Sequence, residues 1–184
     1  MNDSEIIAAV KLWVETIVID LNLCPFAKRE WIKKSLRFSI SHANSEEQLL
    51  MDLQAELELM QNDSSTETTL LIHPNVLSDF SDYNQFLDDT DHLLIQKNYV
   101  GIYQIASFHP DYQFSNTLPD DVENYTNKSP YPILHLLRED SLEKAIAQYP
   151  DSDAIPERNI ALLKSMGKEK MQQLLQACLE KPQR

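Results

Sequence analysis

The stretch from Val100 to Leu137 reads VGIYQIASFHPDYQFSNTLPDDVENYTNKSPYPILHLL, and the fold class turns on it. Its two ends are β-prone: Val100 to Phe108 predicts a strand broken at His109-Pro110, and Ile133 to Leu137 predicts another. Between them, His109 to Pro132 has no helical period and almost no aliphatic residues, so these strands are not joined by the helical crossover of a parallel sheet. Upstream the pattern differs. Leu36, Phe38 and Ile40 alternate with Arg37, Ser39 and Ser41 as a half-buried strand does, and Thr68 to Ile72 predicts a second strand, halted by His73-Pro74.

Helical patterns surround these strands. Ile6, Val10, Trp13, Val14, Ile17 and Leu21 form an apolar stripe in a first helix, whose pattern stops at Cys24-Pro25. Ser45 followed by Gln48 suits a capping box, opening a helix that turns Leu49, Leu53, Leu57 and Met60 inward. Phe80, Tyr83, Phe86, Leu87 and Leu94 give a third helix its apolar face. Asp140 and Glu143 open another that Pro150 stops near Tyr149, and two more follow, the first with Pro156 in its opening turn and Gly167 just past its end. The expectation is an α+β fold: a small mixed four-stranded sheet covered by helices, with helical N- and C-termini, in one domain over residues 1–184.

Charge and cysteine usage exclude several functions. With 16 Lys plus Arg against 29 Asp plus Glu the net charge is −13, which repels nucleic acid and anionic membranes. No apolar run reaches the roughly 18 to 20 residues of a membrane span, and the N-terminus lacks the basic and cleavage regions of a signal peptide, so a cytoplasmic location is expected. The two cysteines, Cys24 and Cys178, read as thiols. No Gly-rich phosphate loop, nucleophile elbow or HExxH is present, which disfavours P-loop hydrolases, α/β-hydrolases and zincins.

The long connection at 109–131 is the richest functional candidate. Unstructured connections beyond about 12 to 15 residues are uncommon in compact domains and are usually functional or disordered. Phe108, Tyr112, Phe114, Tyr125 and Tyr131 argue that this one folds back, either as a structural Ω-loop or as the wall of a pocket. Under it, His109, His135 and Asp111 are candidate catalytic groups. Arg138, Tyr112, Lys128 and Tyr131 are candidates for holding a small anionic substrate. His73, His109 and His135 recur at strand positions and would suit a divalent transition metal if they converge, or bond to loop backbone if they do not. Cys24, followed by Lys28, Arg29, Lys33, Lys34 and Arg37, is a candidate nucleophile or a small buried hydrophobe. A small enzyme and a non-catalytic module binding a small molecule or a protein both remain open.

Leu21-Asn22-Leu23-Cys24-Pro25-Phe26-Ala27, Thr68 to Pro74, Ser107 to Phe114 and Ser129 to Glu139 resemble a bacterial family known as the domain of unknown function DUF1415. The resemblance runs from the first helix through Pro156-Glu157-Arg158-Asn159. It implies one intact domain of bacterial type and carries no activity, cofactor or catalytic role onto these positions.

Overall fold

The computed structural model describes residues 2–180. Helix α1 (Asp3–Trp13) opens on Asn2, whose side chain accepts from the Glu5 N–H while the Glu5 side chain returns to the Asn2 N–H. It runs directly into a π-helical segment (Val14–Ile19), in which the Asp20 N–H reaches back five residues to the Glu15 carbonyl. The wider turn keeps Trp13, Val14 and Ile17 all buried, and Leu23 follows them into the core. Helix α2 (Ala27–Lys33) buries no residue fully and so shows no stripe in the sequence; its Trp31 meets Phe38 edge to face at 6.2 Å.

The remaining elements follow in the order β1 (Leu36–Ile40), α3 (Glu46–Asn62), β2 (Thr68–Ile72), α4 (Phe80–Gln96), β3 (Tyr103–Phe108), β4 (Ile133–Arg138), α5 (Glu139–Gln148), α6 (Ile155–Met166) and α7 (Lys168–Leu179). A short 3-10 helix, Val122–Thr126, lies inside the long connection. Ser45 caps α3 as expected, but the Gln48 side chain accepts from the Asn44 N–H rather than from Ser45. The third strand begins at Tyr103 rather than Val100, since Gly101 takes φ +78 in the turn ahead of it.

The fold is α+β with a mixed sheet in the order β1-β2-β4-β3. β1 and β2 are parallel, and β4 runs antiparallel to both β2 and β3. Strands β1, β2 and β3 therefore point the same way, with β4 inserted between the second and third. Leu71, Leu134, Leu136 and Tyr103 pack on one face with α3 and α4, where Leu49, Leu53, Leu57 and Met60 are fully buried. Leu70, Ile72 and Ile133 pack on the other with α1, the π segment, α6 and α7. Each fully buried leucine contributes roughly 2 kcal/mol by removal of its side chain from water.

Arg138, a candidate anion ligand, lies at the opposite end of the sheet from His73 and His109, because β4 runs against its neighbours. Its guanidinium is committed to the carbonyls of Met60, Asp63 and Thr66 and to the Tyr103 hydroxyl, closing the C-terminal end of α3. The Met60 carbonyl lies in the last turn of α3, where the chain offers no further intrahelical donor and a cation is stabilising. The expected result for Arg138→Leu is a loss of about 3 kcal/mol in urea unfolding, from the charge-assisted bonds removed and the Met60 carbonyl left without its donor.

Candidate functional site

The C-terminal ends of β2 and β3 deliver His73 and His109 to one end of the sheet, on the α4 side. Strand alternation puts His73 on the face of Leu71 and His109 on that of Ser107, so both meet α4. The His73 ring stacks on Tyr83 at 5.7 Å, and His109 lies 5.1 Å from Tyr83 and 5.5 Å from Phe80. Tyr112 continues the cluster, 5.0 Å from Phe80 and 4.9 Å from Phe114. Tyr83 binds it to the sheet: its hydroxyl donates to the Ile133 carbonyl at 2.7 Å and accepts the Phe108 N–H at 3.1 Å. Burial pushes the Tyr83 phenol far above its ordinary pKa.

The His109 ring is bonded at both nitrogens and the His73 ring at one. The Asp111 N–H donates to Nδ1 of His109, so its proton sits on Nε2, which donates to the Leu77 carbonyl at 3.2 Å. Nδ1 of His73 donates to the Val76 carbonyl at 3.1 Å, leaving a buried Nε2 lone pair with no partner. Both rings are fully buried, and burial lowers both pKa values, that of His73 to about 4.

The long connection proves to be stapled rather than open. Asn124, fully buried, accepts from the Phe114 N–H and the Thr117 hydroxyl and donates to the Leu118 carbonyl. Asn127 donates to the Ser107 carbonyl, while its own carbonyl accepts the His109 N–H. The Trp13 indole donates to the Lys128 carbonyl. Lys128 itself extends over the Tyr125 ring at 5.1 Å and reaches the Pro119 carbonyl at 3.4 Å. Tyr131 is half-buried, its carbonyl accepting from the Ser129 hydroxyl, and Asp111 is exposed. Lys128 thus serves the loop's own packing, while Tyr131 packs against the core that α1 covers.

The three histidines proposed as metal ligands do not converge. His135 projects from the opposite face of the sheet, in register between Leu70 and Ala106. Among the described residues no group of His, Cys, Asp or Glu is placed to hold a metal ion. Cys24 follows the π segment and precedes α2, where the Phe26 and Ala27 N–H groups favour its thiolate, yet burial outweighs them and pushes the thiol up. That is the reverse of an activated nucleophile. Alkylation of Cys24 by iodoacetamide at pH 7 is expected to be at least ten-fold slower than that of a free cysteine; a rate equal to or above the free thiol would restore it as a nucleophile.

Of the two candidate histidines with an unpartnered ring nitrogen, His73 is sealed in the core and His135 is not. Thr68 has one hydroxyl proton, which goes to the Leu136 carbonyl at 2.6 Å, so its oxygen must accept from Nε2–H of His135, also at 2.6 Å. The ring is thereby fixed with a lone pair on Nδ1, and no described residue bonds to that atom. Burial lowers its pKa to about 4, so it is neutral across ordinary pH. The ring is nonetheless half-buried, not sealed. Leu70 and Ile133 are buried beneath the helices, but Ala106 and Leu137 are half-exposed and Gln104 is exposed, so the helical cover gives out toward β3. Phe108 stands 6.0 Å from the imidazole along the same strand face. Thr68 escaped sequence reasoning because only the β2–β4 register sets it against His135.

The remaining histidines lie on the surface, His42 paired with Asp3 at 3.1 Å and His92 exposed on α4. No helix among the described residues is long and apolar enough to cross a membrane. No curated protein and no solved structure matches the chain. Residues 5–173 match the family described as a protein of unknown function, DUF1415, and the chain belongs to that family.

Proposed function

We propose that the protein binds a small neutral molecule on the half-open sheet face around His135. The observation that carries this reading is the relay from His135 Nε2–H through Thr68 to the Leu136 carbonyl, which orients an unpaired Nδ1 lone pair on a face the helices leave partly uncovered. A neutral imidazole accepts a hydrogen bond from a ligand N–H or O–H, Phe108 offers a flat apolar wall, and the small Ala106 leaves room beside the ring. A general base works best with a pKa near the operating pH, and one held near 4 is weak at pH 7, so binding is favoured over proton abstraction. An anionic substrate finds no counter-charge in Arg138, whose guanidinium is committed elsewhere. Two free thiols suit the reducing cytoplasm, where we place the protein.

The test is titration of ¹⁵N-labelled protein with planar, neutral N–H donors, benzimidazole and uracil as probes. Shifts are expected at Thr68, Ala106, Phe108 and His135, and they should vanish in His135→Phe. Shifts gathered instead at His109, Tyr112 and Phe114 would return the site to the long loop.

A further inference from the structure

The two edges of the sheet are treated differently. On β3, the Asn127 side chain donates to the Ser107 carbonyl, and the backbone of His109 pairs with Asn127 and Ser129, so the loop covers that edge near its end. On β1, the Ser41 N–H and the Ser35 carbonyl face β2, which by strand alternation turns the N–H and C=O groups of Leu36, Phe38 and Ile40 outward. Among the described residues nothing bonds to these outward groups. Natural sheets usually guard such an edge with a charge, a proline or a bulge. β1 has no proline, and its charged residue, Arg37, is drawn onto α3 by two bonds to Glu56 at 2.8 and 3.1 Å.

Beside this edge runs a groove of about 420 Å³, floored by Ser39 and Leu71 and walled by Met51, Asp52, Ala55 and Glu56 of α3. Serine and alanine leave the space, and Met51 is 63% exposed at its lip. The wall is acidic. Helix α3 carries Glu46, Glu47, Asp52, Glu56 and Glu58 with no lysine or arginine, and Asp52 is held by the Ser41 hydroxyl at 2.5 Å with no cation in ion-pair distance among the described residues.

We propose that β1 is a docking edge for an extended, basic segment of a partner protein, which adds as a fifth strand. Its backbone would pair with Leu36, Phe38 and Ile40, and alternate side chains would enter the groove, where a lysine or arginine meets Asp52. Charge favours this occupant over a second copy. Pairing β1 with β1 would bring two acidic α3 helices, on chains of net charge −13 each, beside one another.

The experiment uses the full chain, ¹⁵N-labelled, and a capped six-residue peptide of alternating lysine and valine. At saturation, amide exchange at Leu36, Phe38 and Ile40 should slow at least ten-fold while Arg37 and Ser39 are unchanged. Asp52→Asn should weaken binding about ten-fold, and an alternating glutamate-valine peptide should not bind. Ile40→Pro removes an outward donor without touching the ladder to β2, and it should abolish the protection while unfolding remains cooperative. The proposal is overturned if shifts scatter over the acidic surface with no slowed exchange, if the glutamate peptide binds equally, or if sedimentation shows the free chain already dimerised through β1.

Discussion

Tyr83→Phe is expected to lower the stability of the protein by about 3 kcal/mol while leaving its shape unchanged. The substitution removes one oxygen and no packing volume of consequence. That oxygen closes the end of the β3–β4 pair, receiving the Phe108 N–H and donating to the Ile133 carbonyl. Ile133 is fully buried, and no water can replace the hydroxyl without a cavity to hold it. Two backbone groups are left unpaired, each costing roughly 1 to 3 kcal/mol. The ring contacts to His73, His109 and Phe80 survive in phenylalanine, which isolates the hydroxyl as the cause. Urea unfolding should show a lower midpoint at constant slope; an unchanged midpoint would mean that the bridge contributes nothing.

Acid should destabilise the fold as the pH falls from 6.5 toward 4. The pKa of His73 falls from 6.5 to about 4 on folding, chiefly by burial and further by the neighbouring His109. Between those values the unfolded chain holds a proton that the folded chain refuses, so stability rises with pH across the window. The contribution is complete above about pH 6.5 and is lost as the pH falls toward 4. For a fully buried ring this amounts to about 3 kcal/mol in all, of which roughly 2 kcal/mol is gone by pH 5. His135, lowered likewise from 6.5 to about 4 by burial, acts in the same window and with the same sign. Urea midpoints at pH 7, 6 and 5 check this, and a flat profile would show that neither ring is held neutral.

Much of this architecture is legible in local patterns. The stripe Leu49, Leu53, Leu57 and Met60 announces a helix with one buried face, and the alternation from Leu36 to Ser41 announces a strand, because burial on one side imposes a period on the chain. The missing helical period between His109 and Pro132 likewise announces that the sheet is mixed. Helix α2 stays hidden because it buries no face fully, and the π turn after Trp13 because it alters geometry without altering composition.

Alternation places His73 and His109 on one face, but only the β2–β4 and β3–β4 registers reveal that His135 points the other way, and register depends on pairing between distant segments. The long loop drew attention by its length and aromatic content. Its polar residues turn out to satisfy the loop itself, Asn124 above all. Arg138 carried the wrong implication because a guanidinium that closes a helix end looks, in sequence, the same as one that awaits an anion.

The proposed site depends on the state of the His135 ring, which the long-range ¹H–¹⁵N spectrum of the histidine side chains between pH 7 and pH 4 reads directly. His135 should carry its proton on Nε2, show an unprotonated Nδ1 at pH 7, and titrate near 4. A proton on Nδ1, or titration near 6.5, would mean that Thr68 does not fix the ring and that no acceptor is presented on the open face, which contradicts the proposed site.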